Sequence, residues 1–231
     1  MKARDLQAVY NYRPCLLLRH GPKIPDKGPE ADSDNTFCLV GKGVTFDSGG
    51  ISIKPSASMG DMRADMGGAA VTVAAMKAIA QAGLKGRIVA LTPLAENMPA
   101  GNASKPGDVV VARNGKTIQI DNTDAEGRLL LCDTLGKCGR KGINGPSEET
   151  FQKITYKYSD YAAEVHKPTA MIDSATLTGA MVIALGSGAT GVFCKNDNLW
   201  SLIEKSGYET GDRAWRMPHY KHYFGKNFFL R

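Results

Sequence analysis

Short apolar runs alternate along this chain with helix-length amphipathic stretches, and Gly-rich or Asp-rich turns separate them. Residues 1–36 lack that rhythm. Pro14, Pro22, Pro25 and Pro29 punctuate them, and they predict only a strand fragment around Cys15–Leu18 followed by a loop. From Phe37 the texture changes: FCLVG reads as a buried strand running into the Gly-rich GKGVTFDSGG. Apolar positions at Ala70, Val73, Ala74 and Ile79 predict a helix over Asp65–Gly83, with Asp65 as its cap and Gly83 as its stop. RIVALTPLA reads as another buried strand, NMPAGNASKPGD as a loop and GKTIQI as a strand. DNTDAEGRLLLCDTL then reads as a turn entering a helix. TAMIDSATL and ATGVFC predict further strands, with the apolar, helix-like GAMVIALG between them. NDNLWSLIEKSGYETG is an amphipathic helix with Asn or Asp at its start. Strands alternating with helices indicate an α/β domain whose mixed, largely parallel sheet is covered on both faces. With no internal repeat and no strong linker, one domain is expected.

Composition narrows the function classes. The 231 residues are 42% hydrophobic and 23% charged, as in ordinary globular proteins. The net charge of +6 is concentrated in three places: residues 1–27 and 216–231 each carry +4 and residues 136–155 carry +2, which leaves −4 for the rest. A basic face for nucleic acid is therefore not expected. Five cysteines without a CxxC pair fit reduced thiols better than a disulfide framework. No stretch approaches the ~20 apolar residues that span a bilayer, and the N-terminus lacks a signal-type apolar run. The expected setting is cytoplasmic, without a membrane partner.

Three acidic clusters fall at strand ends or helix starts: Asp47 in TFDSGG, Asp61 and Asp65 in GDMRADMGG, and Asp121, Asp124 and Glu126 in IDNTDAEGR. Ligands of α/β sheets gather at strand ends, and converging carboxylates repel unless cations neutralise them. Hard oxygen donors suit divalent ions, and shared carboxylates suit a pair of them. Asp and Gly in loops serve equally as caps and turns, so spacing alone leaves both readings open. The competing chemistries are weaker. His219 and His222 form a lone i,i+3 pair, and His20 and His166 have no partner in the pattern. Ser48, Ser174 and Thr178 lack a paired base and a nucleophile elbow. GKG lacks the spacing of a phosphate-binding loop.

NTDAEGRL (Asn122–Leu129), VGKGVTFDSGGISIKP (Val40–Pro55), MRADMGGAA (Met62–Ala70) and ATLTGAM (Ala175–Met181) occur in that family's order and resemble the leucyl aminopeptidase family. PLAENMP, KPGDVV, LGSGATGVF and ETGDRAWRMP add to the resemblance, which covers Leu39–Leu135 and Lys167–His222. It implies a three-layer α/β/α fold of the zinc-exopeptidase kind and a metalloaminopeptidase that removes leucine-like N-terminal residues from peptides. It also implies two divalent ions, zinc or manganese, held by Lys42, Asp47, Asp65, Asp124 and Glu126, with Asp47 and Glu126 bridging. A lysine ligates a metal only as the neutral amine, a form that burial beside cations favours. A water bridging the ions would attack the peptide carbonyl. Lys54 resembles the family's lysine that stabilises the oxyanion. Arg128 resembles its arginine that holds a bicarbonate ion, the general base, with backbone N–H groups near Leu177 and Gly179. Met62, Asn122, Thr176 and Gly179 would line the substrate pocket.

The family assembles as hexamers, so a homo-oligomer is expected. Three departures qualify the resemblance. Residues 136–155 interrupt the stretch after DNTDAEGRLLLCDTL and read as a surface loop or an insertion in the gene. The chain stops soon after WRMP, where family members continue, so the C-terminal part of the 37–231 catalytic domain is expected to be missing. The family's separate N-terminal domain has no counterpart in residues 1–36. The alternative reading is a non-catalytic metal-binding chain or a regulatory partner subunit of a full-length aminopeptidase.

Overall fold

The computed structural model describes residues 4–5, 13–21, 36–112, 115–135, 162 and 168–220. The segment 136–155, most of 1–36 and the tail from 221, with His222, lie outside them, as does His166.

A mixed sheet is built on one long strand, β5 (Arg87–Asn97). It follows β1 (Arg4–Asp5), β2 (Arg13–His20), β3 (Thr36–Gly41) and β4 (Gly43–Asp47) in the chain. The pattern of RIVALTPLAEN explains its place, since the run Val89–Pro93 is buried throughout, as a strand covered on both faces requires. β2 pairs with β5 antiparallel, and β3 pairs with it in parallel from Thr36↔Arg87 to Val40↔Leu91. β4 continues alongside β5 from Gly43↔Leu94 to Asp47↔Asn97. β3 and β4 thus run along one neighbour as a single line broken at Lys42. FCLVGKGVTFD was expected to be one strand followed by a Gly-rich stretch; pairing with the long β5 makes GVTFD a second strand. On its other side β3 pairs in parallel with β8 (Ala170–Ser174).

Two helices cover opposite faces of this sheet. Even positions of β3, Cys38 and Val40, join Val89, Leu91, Ala162 and Leu131 of α2 (Gly127–Leu135) in a buried cluster. Leu130 of the same helix packs on Val44 and Ala95, and Leu129 packs on Val110 and Ile120. The three consecutive leucines of α2 are buried in three directions, which holds the start of that helix firmly. The odd position Gly41 faces α1 (Gly67–Gln81), where a Cβ would run into the Gly68 carbonyl oxygen and the Thr72 hydroxyl. A short ribbon of β6 (Val109–Val111) and β7 (Thr117–Gln119), joined by β1 in parallel, lies ahead of α2.

The helix expected to start at Asp65 starts instead at Gly67. Met66 is its N-cap without a side-chain hydrogen bond, and a 3-10 turn over Met59–Ala64 leads into it. Asp65 does not cap the helix because its carboxylate is engaged elsewhere, as the site geometry makes plain.

The contacts divide into two compact units, Met1–Leu177 and Thr178–Arg231. The second contains α3 (Gly179–Leu185), β9 (Thr190–Val192), α4 (Asp197–Thr210) and β10 (Ala214–Arg216), with β9 and β10 parallel. Asn196 caps α4 by accepting from the Leu199 N–H at 3.0 Å, and Gly211 ends it at φ 79°. Both ends agree with the sequence expectation. Among the described residues no helix is long and apolar enough to cross a membrane.

Candidate metal centre

The break between β3 and β4 turns Lys42 inward. Its N–H donates to the Ser174 carbonyl at 3.0 Å, and its carbonyl accepts from Ala69 N–H at 2.8 Å. The backbone is thereby fixed between β8 and the first turn of α1. The side chain is 2% exposed. Its ammonium lies 2.7 and 2.8 Å from the two oxygens of Asp65 and 3.0 Å from the Thr176 carbonyl. Glu126 Oε1 is also 3.0 Å away. The Thr176 hydroxyl donates to Asp65 Oδ1 at 2.8 Å. Gly127 makes room for this: a Cβ there would sit 2.5 Å from Lys42 Cε and 2.8 Å from its Nζ.

A second group adjoins the first. Asp47 ends β4, and its Oδ1 accepts from Gly49 N–H at 2.9 Å and Asn97 Nδ2 at 2.8 Å. Its Oδ2 lies 2.9 Å from Lys54 Nζ, which also pairs with Asp124 Oδ1. Burial alone would lower the Lys54 amine, but its hydrogen bonds to Asp124 and Asp47 outweigh this and hold it above its ordinary value. Burial pushes the Glu126 carboxyl up against the lowering pull of Lys42.

Four carboxylates (Asp47, Asp65, Asp124 and Glu126) therefore share the two ammonium groups of Lys42 and Lys54. With all four ionised, two negative charges stay unmatched within the cluster. Ligand oxygens of Asp47, Asp65 and Glu126 lie within 4.8 Å of one another, close enough to hold a metal ion. Among the described residues, Glu126 Oε2 is buried with no hydrogen-bond partner. Excess negative charge, hard oxygen donors and an orphaned buried carboxylate oxygen all fit a divalent cation.

The other candidates sit differently. Arg128 is exposed on the first turn of α2, and its side chain joins no ion pair or hydrogen bond among the described residues. Asn122 is exposed, and its Oδ1 accepts from Asp124 N–H at 2.9 Å, a local turn that aims the aspartate. Met62 is half-buried in the 3-10 turn and Leu177 is exposed. Gly179 opens α3 in the other unit. Asp61 and Asp121 stay exposed outside the cluster, Asp121 accepting from Gln119 Nε2 at 2.9 Å. Sequence reasoning missed Thr123 and Asn97. Thr123 is fully buried, its hydroxyl bonded to the Gly49 carbonyl and the Ser52 N–H. Each stood in a motif, but nothing in an uncharged side chain marked it as part of a charged site.

Comparison with known proteins places the chain among relatives. The cytosol aminopeptidase family, catalytic domain, matches residues 26–228. The cytosol aminopeptidase of Bos taurus is 52% identical over 201 residues, which is 87% of this chain and 34% of that protein. The leucine aminopeptidase of Caenorhabditis elegans superposes with a TM-score of 0.70 at 33% identity, over 88% of this chain and 35% of that one. The bottromycin maturation enzyme BotP, solved in complex with Mn, gives a TM-score of 0.71 at 38% identity over 94% of this chain and 42% of its own. The chain spans about a third of the length of the curated relatives it matches. With a family match across most of its length and an α/β fold shared with leucine aminopeptidases, this chain belongs to the cytosol aminopeptidase family, in its catalytic domain.

Proposed function

We propose that this chain is the catalytic region of a metalloaminopeptidase that releases N-terminal residues from peptides, leucine-like ones preferred, with two divalent ions, zinc or manganese. The observation that carries the reading is the cluster of four carboxylates and two lysines, all buried but the half-buried Lys54 and Asp124, inside the family-matched region. The names of the relatives supply the reaction class and a cytosolic location, and the manganese complex of BotP supports a divalent ion.

Lys42, Asp47, Asp65, Asp124 and Glu126 would hold the ions, which supply Lewis acidity toward the peptide carbonyl and toward water. Lys54 is 22% exposed where Lys42 is 2%, so it is the lysine of the pair that substrate can reach. Held charged by Asp47 and Asp124, it would stabilise negative charge growing on the carbonyl oxygen. Arg128, exposed and without a carboxylate partner among the described residues, would hold the bicarbonate base with N–H groups near Leu177 and Gly179. Met62, Asn122, Thr176 and Gly179 would contact the substrate.

Hydrolysis of leucine p-nitroanilide, with and without added Mn2+ or Zn2+, tests the reading. Metal-dependent release is expected, and Lys54→Ala and Asp124→Ala should each lower it by about a hundredfold or more. Unchanged turnover in both variants sinks the assignment. A folded protein that binds Mn2+ without turnover is instead a non-catalytic metal-binding or regulatory partner subunit.

A further inference from the structure

Asn97, the last residue of β5, is 5% exposed and takes none of the roles above. Its Nδ2 donates to Asp47 Oδ1 at 2.8 Å and to the Thr123 carbonyl at 2.9 Å. Its own carbonyl accepts from the Ser48 N–H at 2.9 Å and the Ser48 hydroxyl at 2.8 Å. These partners belong to two different loops. Asp47 and Ser48 leave β4, whereas Thr123 immediately precedes Asp124 and stands three positions before Glu126. One buried amide therefore ties together the two loops that bear the carboxylates.

The chemistry of the bond is specific to an amide. Both protons of a single NH2 group meet acceptors, where a carboxylate would set oxygen against oxygen. With Asn97 and the Gly49 N–H both donating to Asp47 Oδ1, that oxygen is committed to the protein. The other oxygen, Oδ2, is left facing the cluster, 2.9 Å from the Lys54 ammonium. Asn97 thus determines which oxygen of Asp47 is presented and how far it stands from the Asp124–Glu126 loop.

We propose that Asn97 is the positioning residue that holds the Asp47 loop and the Asp124–Glu126 loop in register, and so sets the affinity of the cluster for divalent ions. The inference rests on the reading of the cluster as a metal site. Partners one layer behind metal ligands typically contribute 10- to 100-fold in affinity or activity.

The test measures Mn2+ binding directly, from loss of the free-ion electron paramagnetic resonance signal, alongside kcat and KM for leucine p-nitroanilide. Asn97→Ala, Asn97→Ser and Asn97→Asp are compared with the wild type and with Met76→Ala, whose buried side chain lies two turns along α1 from the Gly68 contact. Each folded Asn97 variant should bind Mn2+ about 10- to 100-fold more weakly, with kcat reduced and KM little changed. Met76→Ala should melt at lower temperature and keep the wild-type Mn2+ affinity. Wild-type affinity in any folded Asn97 variant overturns the proposal and leaves the metal reading standing. Equal weakening in Met76→Ala also overturns it, as a general effect of lost stability. A wild type that binds no Mn2+ overturns both.

Discussion

At the scale of single residues, the decisive fact is that Lys42 is buried against two carboxylates and a carbonyl. Removing one partner of a buried ion pair costs about 3–5 kcal/mol, because the remaining charge is left uncompensated. Lys42→Met keeps the stem as far as Cε and deletes the ammonium. In metal-free protein it should therefore lose about that much stability, read from urea unfolding; a loss below about 1 kcal/mol would mean that Asp65 and Glu126 do not depend on the ammonium. Cys38 behaves differently. Burial pushes its thiol from the ordinary 9.0 up to about 11. The folded state then keeps a proton that the unfolded state releases, so this group's contribution is intact below about pH 9 and is lost as pH rises toward 11. The stability gap between wild type and Cys38→Ala should narrow by about 1 kcal/mol or more from pH 8 to pH 10.5, at up to 1.36 kcal/mol per pH unit. A gap constant with pH would remove the thiol from the account. The charged members of the cluster were legible in the sequence chiefly through the family resemblance of their motifs, since spacing alone picked out Asp61 and Asp121 equally. Asn97 and Thr123 were not, because their part depends on hydrogen bonds between loops far apart in the chain.

At the scale of elements, two glycines sit at contacts too close for a side chain. A Cβ on Gly68 would run into the Ser174 carbonyl oxygen, backbone against backbone, where α1 meets β8. Neither element can yield without opening the sheet face, so Gly68→Ala should cost about 3 kcal/mol and lower the melting temperature. A Cβ on Gly127 would meet the far end of the buried Lys42 side chain, which clears it only by leaving Asp65 and Glu126. Gly127→Ala should therefore lose stability, by up to about the 3–5 kcal/mol of a broken buried ion pair, and bind Mn2+ at least about tenfold more weakly, because Lys42 no longer reaches its partners. Unaltered Mn2+ binding in that variant would remove Lys42 from the metal site. Most elements were readable from periodicity, and their ends were less so. The helix expected from Asp65 begins at Gly67 because Lys42 and Thr176, distant in sequence, take the carboxylate that would have capped it. The second strand, GVTFD, has a polar position and a Gly start, and only β5 alongside it makes it a strand.

At the scale of the whole molecule, the cluster lies wholly within the unit Met1–Leu177. An ion that binds the folded state alone stabilises it by about 2.7 kcal/mol at a hundred times its dissociation constant. For a chain of this size that corresponds to roughly 5–10 °C in melting temperature. Saturating Mn2+ should raise the transition of this unit by that amount and a chelator should reverse it. A melting curve indifferent to both would contradict the metal site. The sequence by itself determined the class of chemistry: four carboxylates and two lysines in ordered motifs, on strands and helices whose periods call for an α/β sheet. That much is local, since side-chain type and spacing are properties of the chain. The resemblance had already set Asp47, Asp65, Asp124 and Glu126 apart from Asp61 and Asp121; only the tertiary structure decided how those four converge and which neutral groups hold them. Convergence depends on the break at Lys42 and on the shared neighbour β5, and these arise from pairing between segments far apart in the chain.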